Sequence, residues 1–252
     1  MLLRLLLVIF AVVTPARAEE VVAGLSQKQI AISTNFDGSE ILIFGAVKRE
    51  AAIARDSQLG VIVTVAGPAQ ELTVRRKEKW SAIWINRDSL EVRSAPSFYA
   101  VATTAPFDTL LTDESDLVYL VSVDRAIHAG MASEGVDDQN NFIDALIRIR
   151  EANDLYQSNE GTVTLTGDTL FNTSIKLPAN LVGGSYNVRF LLTREGRVIS
   201  QYETVIFVNK VGLERFLYAL AHEKPTLYGL MSLAIAIAAG WGASAVFRYI
   251  RA

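Results

Sequence analysis

Thr226–Phe247 contains no formally charged residue, and no other feature of the chain constrains its fold as strongly. At about 1.5 Å of rise per residue, a helix over this run is roughly 33 Å long, enough to cross the hydrocarbon of a bilayer. A lone segment in that solvent has to satisfy its own backbone hydrogen bonds, which a helix does. Pro225 stands just before the run, at a helix start where its missing N–H costs nothing. Tyr228 and Tyr249 fall near the two expected interfaces. Arg248 and Arg251 follow the run, and the positive-inside rule then puts the C-terminus in the cytoplasm. The sequence thus predicts one transmembrane helix over 225–247 and a cytoplasmic tail over 248–252.

The other end predicts export. Arg4 is a short positive region, Leu5–Val13 is an unbroken apolar run, and Ala16-Arg17-Ala18 offers small residues at the −3 and −1 positions of a signal-peptidase site. Residues 1–18 therefore read as a signal peptide cleaved before Glu19; the apolar run is too short to span a membrane. The two signals agree on a single-pass protein of the bacterial inner membrane with its N-terminal body in the periplasm. That body has no cysteine, so in an oxidising compartment its stability has to come from burial rather than disulfides.

Within the body, short β-branched runs are cut by Gly, Pro and Asp about every ten residues. Ile30 and Ile32 precede the turn Phe36-Asp37-Gly38-Ser39; Ile41–Phe44, the Val61/Val63/Val65 set, Leu72 and Val74, Ile83 and Ile85, and Phe98–Val101 follow. Tyr186, Val188, Phe190 and Leu192 share one face, Arg194-Glu195-Gly196-Arg197 makes a turn, and Val198–Val208 returns as an antiparallel partner. One segment has helical spacing instead: Phe142, Leu146, Ile149 and Tyr156 recur, Asp137 and Asp138 stand where an N-cap belongs, and Asp144 can pair with Arg148. The expected fold is mainly β, with one or two Ig-like antiparallel sandwich regions and one packed amphipathic helix. The expected layout is a β-sandwich region over 19–110, a second β-rich region over 111–210 carrying a helix at 139–157, and an amphipathic juxtamembrane helix over 211–224. In that last segment Leu213, Phe216, Leu217 and Leu220 share a face, suited either to lying on lipid or to continuing the transmembrane helix.

Little in the chain carries chemistry. With no cysteine and only His128 and His222, a thiolate or histidine metal site is not expected, and neither is a cofactor. A net charge of −3 argues against a nucleic-acid partner. There is no phosphate loop and no nucleophile elbow. The acidic runs Asp113-Glu114-Ser115-Asp116 and Asp137-Asp138 lack calcium-loop spacing and read as solvated loops. No catalytic residues are assigned and the chain is not expected to be an enzyme, although its carboxylates leave a glycosidase-type pair formally open. Two features suggest partner binding. Arg75, Arg76 and Lys77 with Trp80 (and Trp84 beyond) form either a cationic, aromatic-edged patch for an anion, a lipid headgroup or an acidic partner, or a charged strand edge and turn with the tryptophans in the core. In the apolar run, Ser232, Ala236, Gly240 and Ser244 make a row of small residues that lets helices approach closely.

Several segments resemble the alphaproteobacterial putative transmembrane protein family over essentially the full length. They are Glu20–Ser26, Gly38–Ile41, Val74–Lys77, Pro96–Val101, Leu177–Asn180, Lys210–Tyr218, Gly240-Trp241 and Phe247-Arg248. The resemblance implies a membrane protein with a periplasmic body, supplies no catalytic residues, and implies an association with sulfite-exporter-type transporter genes. The function expected is a non-catalytic binding or accessory module for a membrane partner, a transporter or a second copy of the chain. The alternatives are a membrane-tethered carboxylate enzyme acting on envelope polysaccharide and a purely structural envelope component.

Overall fold

The computed structural model describes residues 19–33, 36–49, 58–132, 138–210 and 213–251. The expected signal peptide, 1–18, and Asp137 lie outside them. The first half of the body runs β1 (Glu19–Leu25), β2 (Gln29–Ile32), β3 (Ser39–Arg49), β4 (Leu59–Ala66), β5 (Ala69–Trp80), β6 (Ile83–Pro96) and β7 (Tyr99–Thr103). Then come α1 (Phe107–Leu110), α2 (Asp113–Tyr119), β8 (His128–Ala132) and α3 (Gln139–Glu151). β9 (Tyr156–Asn159), β10 (Thr164–Thr166), β11 (Leu170–Leu177), β12 (Gly184–Arg194) and β13 (Arg197–Lys210) complete the body, and α4 (Leu213–Glu223) leads to α5 (Pro225–Arg251).

The strands form three sheets, ordered β1-β3-β11-β10, β2-β13-β12-β4-β7-β9 and β5-β6-β8. The first two face each other. On β3, Ile41, Ile43 and Val47 are buried while Glu40, Leu42 and Phe44 point away; on β11, Phe171, Ile175 and Leu177 are buried. Across the gap stand Tyr186, Val188, Phe190 and Leu192 of β12, and the Phe171 and Phe190 rings meet at a centroid distance of 6.0 Å. Gly45 leaves room for that ring, since a Cβ there would lie 2.3 Å from Phe171 Cζ. Both sheets draw strands from either side of residue 110. Two edge pairings, β2 with β13 and β7 with β9, are parallel, a departure from the all-antiparallel expectation.

β4 is buried along nearly its whole length because its sheet is covered on both sides. The second cover is the segment carrying α1 and α2. Arg189 reaches through to donate to Tyr119 O at 2.7 Å and Leu120 O at 3.1 Å, closing the C-terminal end of α2. Tyr99 donates to Val121 O at 2.8 Å, and burial pushes its hydroxyl up to about 12, so it stays a neutral donor. Asp113–Asp116 is therefore not a solvated loop. Thr112 caps the helix, and buried Asp116 accepts from Val121 N and Ser122 N, each at 2.9 Å.

The β12–β13 hairpin turns through Glu195 and Gly196 at φ 52° and 74°, the positive pair that a two-residue turn between twisted strands demands. The helix expected over 139–157 ends instead at Glu151. Asp154 takes φ 57°, Leu155 N donates to Arg150 O and Asp154 N to Glu151 O, a Schellman closure that releases Tyr156 into β9. Asp144 and Arg148 form no ion pair with each other.

One ion cluster ties three strands. Glu19 accepts from Arg49 Nε at 2.8 Å and from Arg194 Nη2 at 2.8 and 2.9 Å, joining β1, β3 and β12. Burial works to raise the Glu19 pKa, but the hydrogen bonds from Arg49 and Arg194 outweigh it and hold the carboxyl below its ordinary range. Its stabilisation is then complete above the ordinary carboxylate pKa and is lost as pH falls through the depressed folded value. Glu19→Gln should lower stability at neutral pH by on the order of 1 kcal/mol, a Tm fall of about 2–4 °C. Thermal melts from pH 7 down to pH 3 should show that difference closing. Phe171→Ala, which empties the contact between the sheets, should cost about 3–5 kcal/mol in a denaturant titration.

Candidate functional site

β4 and β7 do not end where the six-stranded sheet ends. Ala66 pairs with Tyr99, Gly67 N donates to Phe98 O at 2.7 Å, Ser97 N donates to Pro68 O at 2.9 Å, and Ala69 pairs with Pro96. One antiparallel ladder thus continues from the core into β5 and β6, which leave the body as an arm. The root is held on both sides. Leu90 and Val92 are buried, β8 pairs along β6 from Leu90 to Ser94, and Tyr156 donates to Pro96 O at 2.8 Å.

Arg76 marks where support ends. Its guanidinium bonds Asp88 Oδ2 at 2.5 Å and Asp138 Oδ2 at 2.6 Å, and its Cζ lies 5.0 Å over the Phe142 ring of α3. Asp138 stands at the N-cap of α3, but it makes no capping bond from its side chain. Hydrogen bonds from Asn141 and Arg76 hold it below the usual carboxylate range instead. Arg76 is thus a bracket between the arm and α3 rather than a free cation.

Beyond Arg76 the ladder is exposed on both faces. Trp80 pairs with Ile83 and Lys79 with Trp84 around the turn Ser81-Ala82, where Ser81 sits at φ 56°. Trp80 is 68% exposed, Trp84 67% and Ile83 58%, so the reading that buried both tryptophans in the core is wrong. The apolar-polar alternation there belongs to a strand whose second layer stops short. One face of the arm carries Arg75, Lys77, Lys79 and Trp84; the other carries Glu78, Ile85, Trp80 and Ile83. Glu78 pairs with Arg87 at 2.7 Å, while Arg75, Lys77 and Lys79 form no ion pair among the described residues. Ile83 is the tip residue that sequence reasoning missed, having read it with Ile85 only as part of a strand. The pair of tryptophans four residues apart was the signal available.

The remaining candidate residues lie far along the chain on α5: Ser232, Ala236, Gly240 and Ser244. Pro225–Ser244 is long and apolar enough to cross a membrane, and none of it is buried. A Cβ added at Gly240 would meet nothing within 4 Å. α4 runs into α5 at Lys224, whose N–H donates to Leu220 O and whose carbonyl accepts from Tyr228 N, each at 3.1 Å. The Tyr218 and His222 rings of α4 stack at 4.0 Å.

Two open depressions lie among the described residues. One, of about 720 Å3, is lined by Asp37, Glu40, Asp154, Asn159 and Lys176, with Gln157 donating to Asp154 O and Lys176 O at 2.9 Å. The other, of about 610 Å3, has His128, Asp124 and Asp144 among its lining residues. Among the described residues no group of three His, Asp or Glu side chains could hold a metal ion.

Arg76→Ala should unfasten the arm from α3 without emptying the core. Backbone amides of residues 74–90 should exchange faster with deuterium, while those of β4 and β12 keep their protection.

Comparison with known proteins adds a family and little more. No curated protein sequence matches the chain. A crystal structure of Spo0M, a sporulation control protein from Bacillus subtilis, aligns with 81% of this chain at 14% identity. The alignment spans 54% of that chain at a TM-score of 0.28, too low to carry an argument. The model of the family described as "Putative transmembrane protein (Alph_Pro_TM)" matches residues 20–249, which takes in the β body, the arm and the apolar helix together, and the chain belongs to that family.

Proposed function

We propose that this is a single-pass inner-membrane protein whose periplasmic body, an Ig-like sandwich, is a non-catalytic accessory module for a partner within the membrane. The partner is a transporter, of the sulfite-exporter type that the family resemblance suggests, or a second copy of the chain. The observation that carries this reading is the full exposure of the apolar window of α5. So apolar a helix, covered by none of the described residues, is covered by lipid and neighbouring helices. Its small residues Ser232, Ala236, Gly240 and Ser244 leave shallow side chains over which another helix packs closely. The exported body is then held at a set height above the bilayer, and the module acts by positioning its surface.

Gly240→Leu tests this at a position where an added Cβ meets nothing within 4 Å among the described residues. Crosslinking in native membranes should yield a stoichiometric adduct for the wild type and a weaker one for the variant. Purification in mild detergent that returns neither a self-oligomer nor a stoichiometric membrane protein defeats the proposal. A phosphatase fused at Ala252 should be inactive; activity there reverses the orientation.

A second reading, a membrane-tethered carboxylate enzyme acting on envelope polysaccharide, is favoured by the cleft that gathers Asp37, Glu40 and Asp154. Purified protein that cleaves such a polysaccharide, and loses that activity as Glu40→Gln or Asp154→Asn, would replace the accessory reading.

A further inference from the structure

The arm ends in three large exposed apolar side chains, Trp80, Ile83 and Trp84, on a strand pair one face of which carries three cations with no acidic partner among the described residues, Arg75, Lys77 and Lys79. Presenting such a tip to water forgoes burial that any apolar surrounding would supply. Indole rings favour the headgroup level of a bilayer, with the apolar body in the acyl region and the N–H in the polar layer, and the long stems of Lys and Arg let their charges reach phosphate from the same depth.

Topology roots the arm at the end of the body from which the apolar helix also departs. β12 is antiparallel to both β4 and β13, so β4 and β13 run the same way. Asn187 lies between Ala66 on one side and Val205 on the other, which puts the two strand ends at one end of the sheet. From that end β4 passes through Gly67-Pro68 into the arm, and β13 passes into α4 and α5. β5 alone, Ala69–Trp80, spans roughly 40 Å at about 3.4 Å per residue, a reach comparable to β13 beyond Val205 followed by α4. The tip and the apolar helix therefore leave the same end of the body on stems of similar length.

We infer that the β5–β6 tip is a second membrane contact. Trp80, Ile83 and Trp84 insert into the interface of the bilayer that α5 crosses, and Arg75, Lys77 and Lys79 engage anionic phospholipid headgroups. The inference rests on the membrane anchoring proposed above. A body tethered at α5 and touching lipid at the tip has two supports, which fixes its tilt as well as its height.

The chain's three tryptophans make the test separable, since the third, Trp241, lies on α5. Full-length Trp241→Phe protein is reconstituted into phosphatidylethanolamine–phosphatidylglycerol vesicles containing a lipid brominated on its acyl chains. Trp80→Phe/Trp84→Phe protein, whose emission comes from Trp241 alone, is prepared in parallel. Tip emission should shift to the blue and be quenched by the bromolipid. Lys77→Gln and Lys79→Gln should each weaken that engagement about fivefold, as expected for about 1 kcal/mol per cation at an anionic surface. Raised salt should weaken it too. Tip emission that is quenched by aqueous iodide and not by bromolipid overturns the inference. So does emission shielded from both quenchers, which assigns the tip to a protein partner. If Trp241 is quenched by bromolipid in either case, the anchor stands and the tip contact alone fails; if Trp241 is not, the anchoring itself is at fault.

Discussion

The antiparallel ladder that runs from the Ile62–Thr103 pair out to the Trp80–Ile83 pair, with register shifts at Gln70/Leu72 and Arg76/Lys77, organises the molecule. Its near half, β4 and β7, is packed on both faces: one against the sheet that presents Phe171, the other under α1 and α2 through Tyr99 and Arg189. Its far half, β5 and β6, has packing only at its root. A strand pair cannot stand in water on its own backbone hydrogen bonds, since an isolated hairpin is marginal. The arm borrows its order from the core, with which it shares a continuous set of hydrogen bonds. The Gly67-Pro68 passage is where that transfer occurs, and a Cβ at Gly67 would lie 2.7 Å from Ser97 Oγ and 3.1 Å from Phe98 N.

The same arrangement explains the mixed character of the basic run. Arg76 lies on the arm face that meets α3, within reach of Asp88 and Asp138, and is used up in holding the root. Its neighbours Arg75 and Lys77 lie on the opposite face because side chains alternate along a strand. A contiguous charged segment is thereby divided into one structural cation and a row of free ones. The division follows from strand geometry and not from charge.

The body and the apolar helix differ in where they put their apolar side chains. The body closes its core with aliphatic and aromatic side chains between two sheets and ties its edges with Glu19, Arg49 and Arg194. In α5 the apolar residues Leu230, Leu233, Ile235 and Ile237 face outward, uncovered by the described residues. In a soluble protein such a surface would be a liability; in this member of a putative transmembrane family it is the candidate membrane span.

Sequence alone determined the features that depend on local chemistry. The uncharged run before Arg248, the alternation in β3 and β12, the Glu195-Gly196 turn and the helix beginning near Asp138 were all legible, because hydrophobic period and turn preference act over a few residues. The limits of that reading were set by distant contacts. Tyr156 continued a helical period, yet Asp154 closed the helix and β7 offered the residue a parallel strand partner. Trp80, Ile83 and Trp84 have the composition of a core, and nothing in their own segment reveals that the facing layer ends at Arg76. Exposure is decided by what another part of the chain does or does not place opposite a residue. Only the tertiary structure could therefore turn three apparent core residues into an unsupported tip.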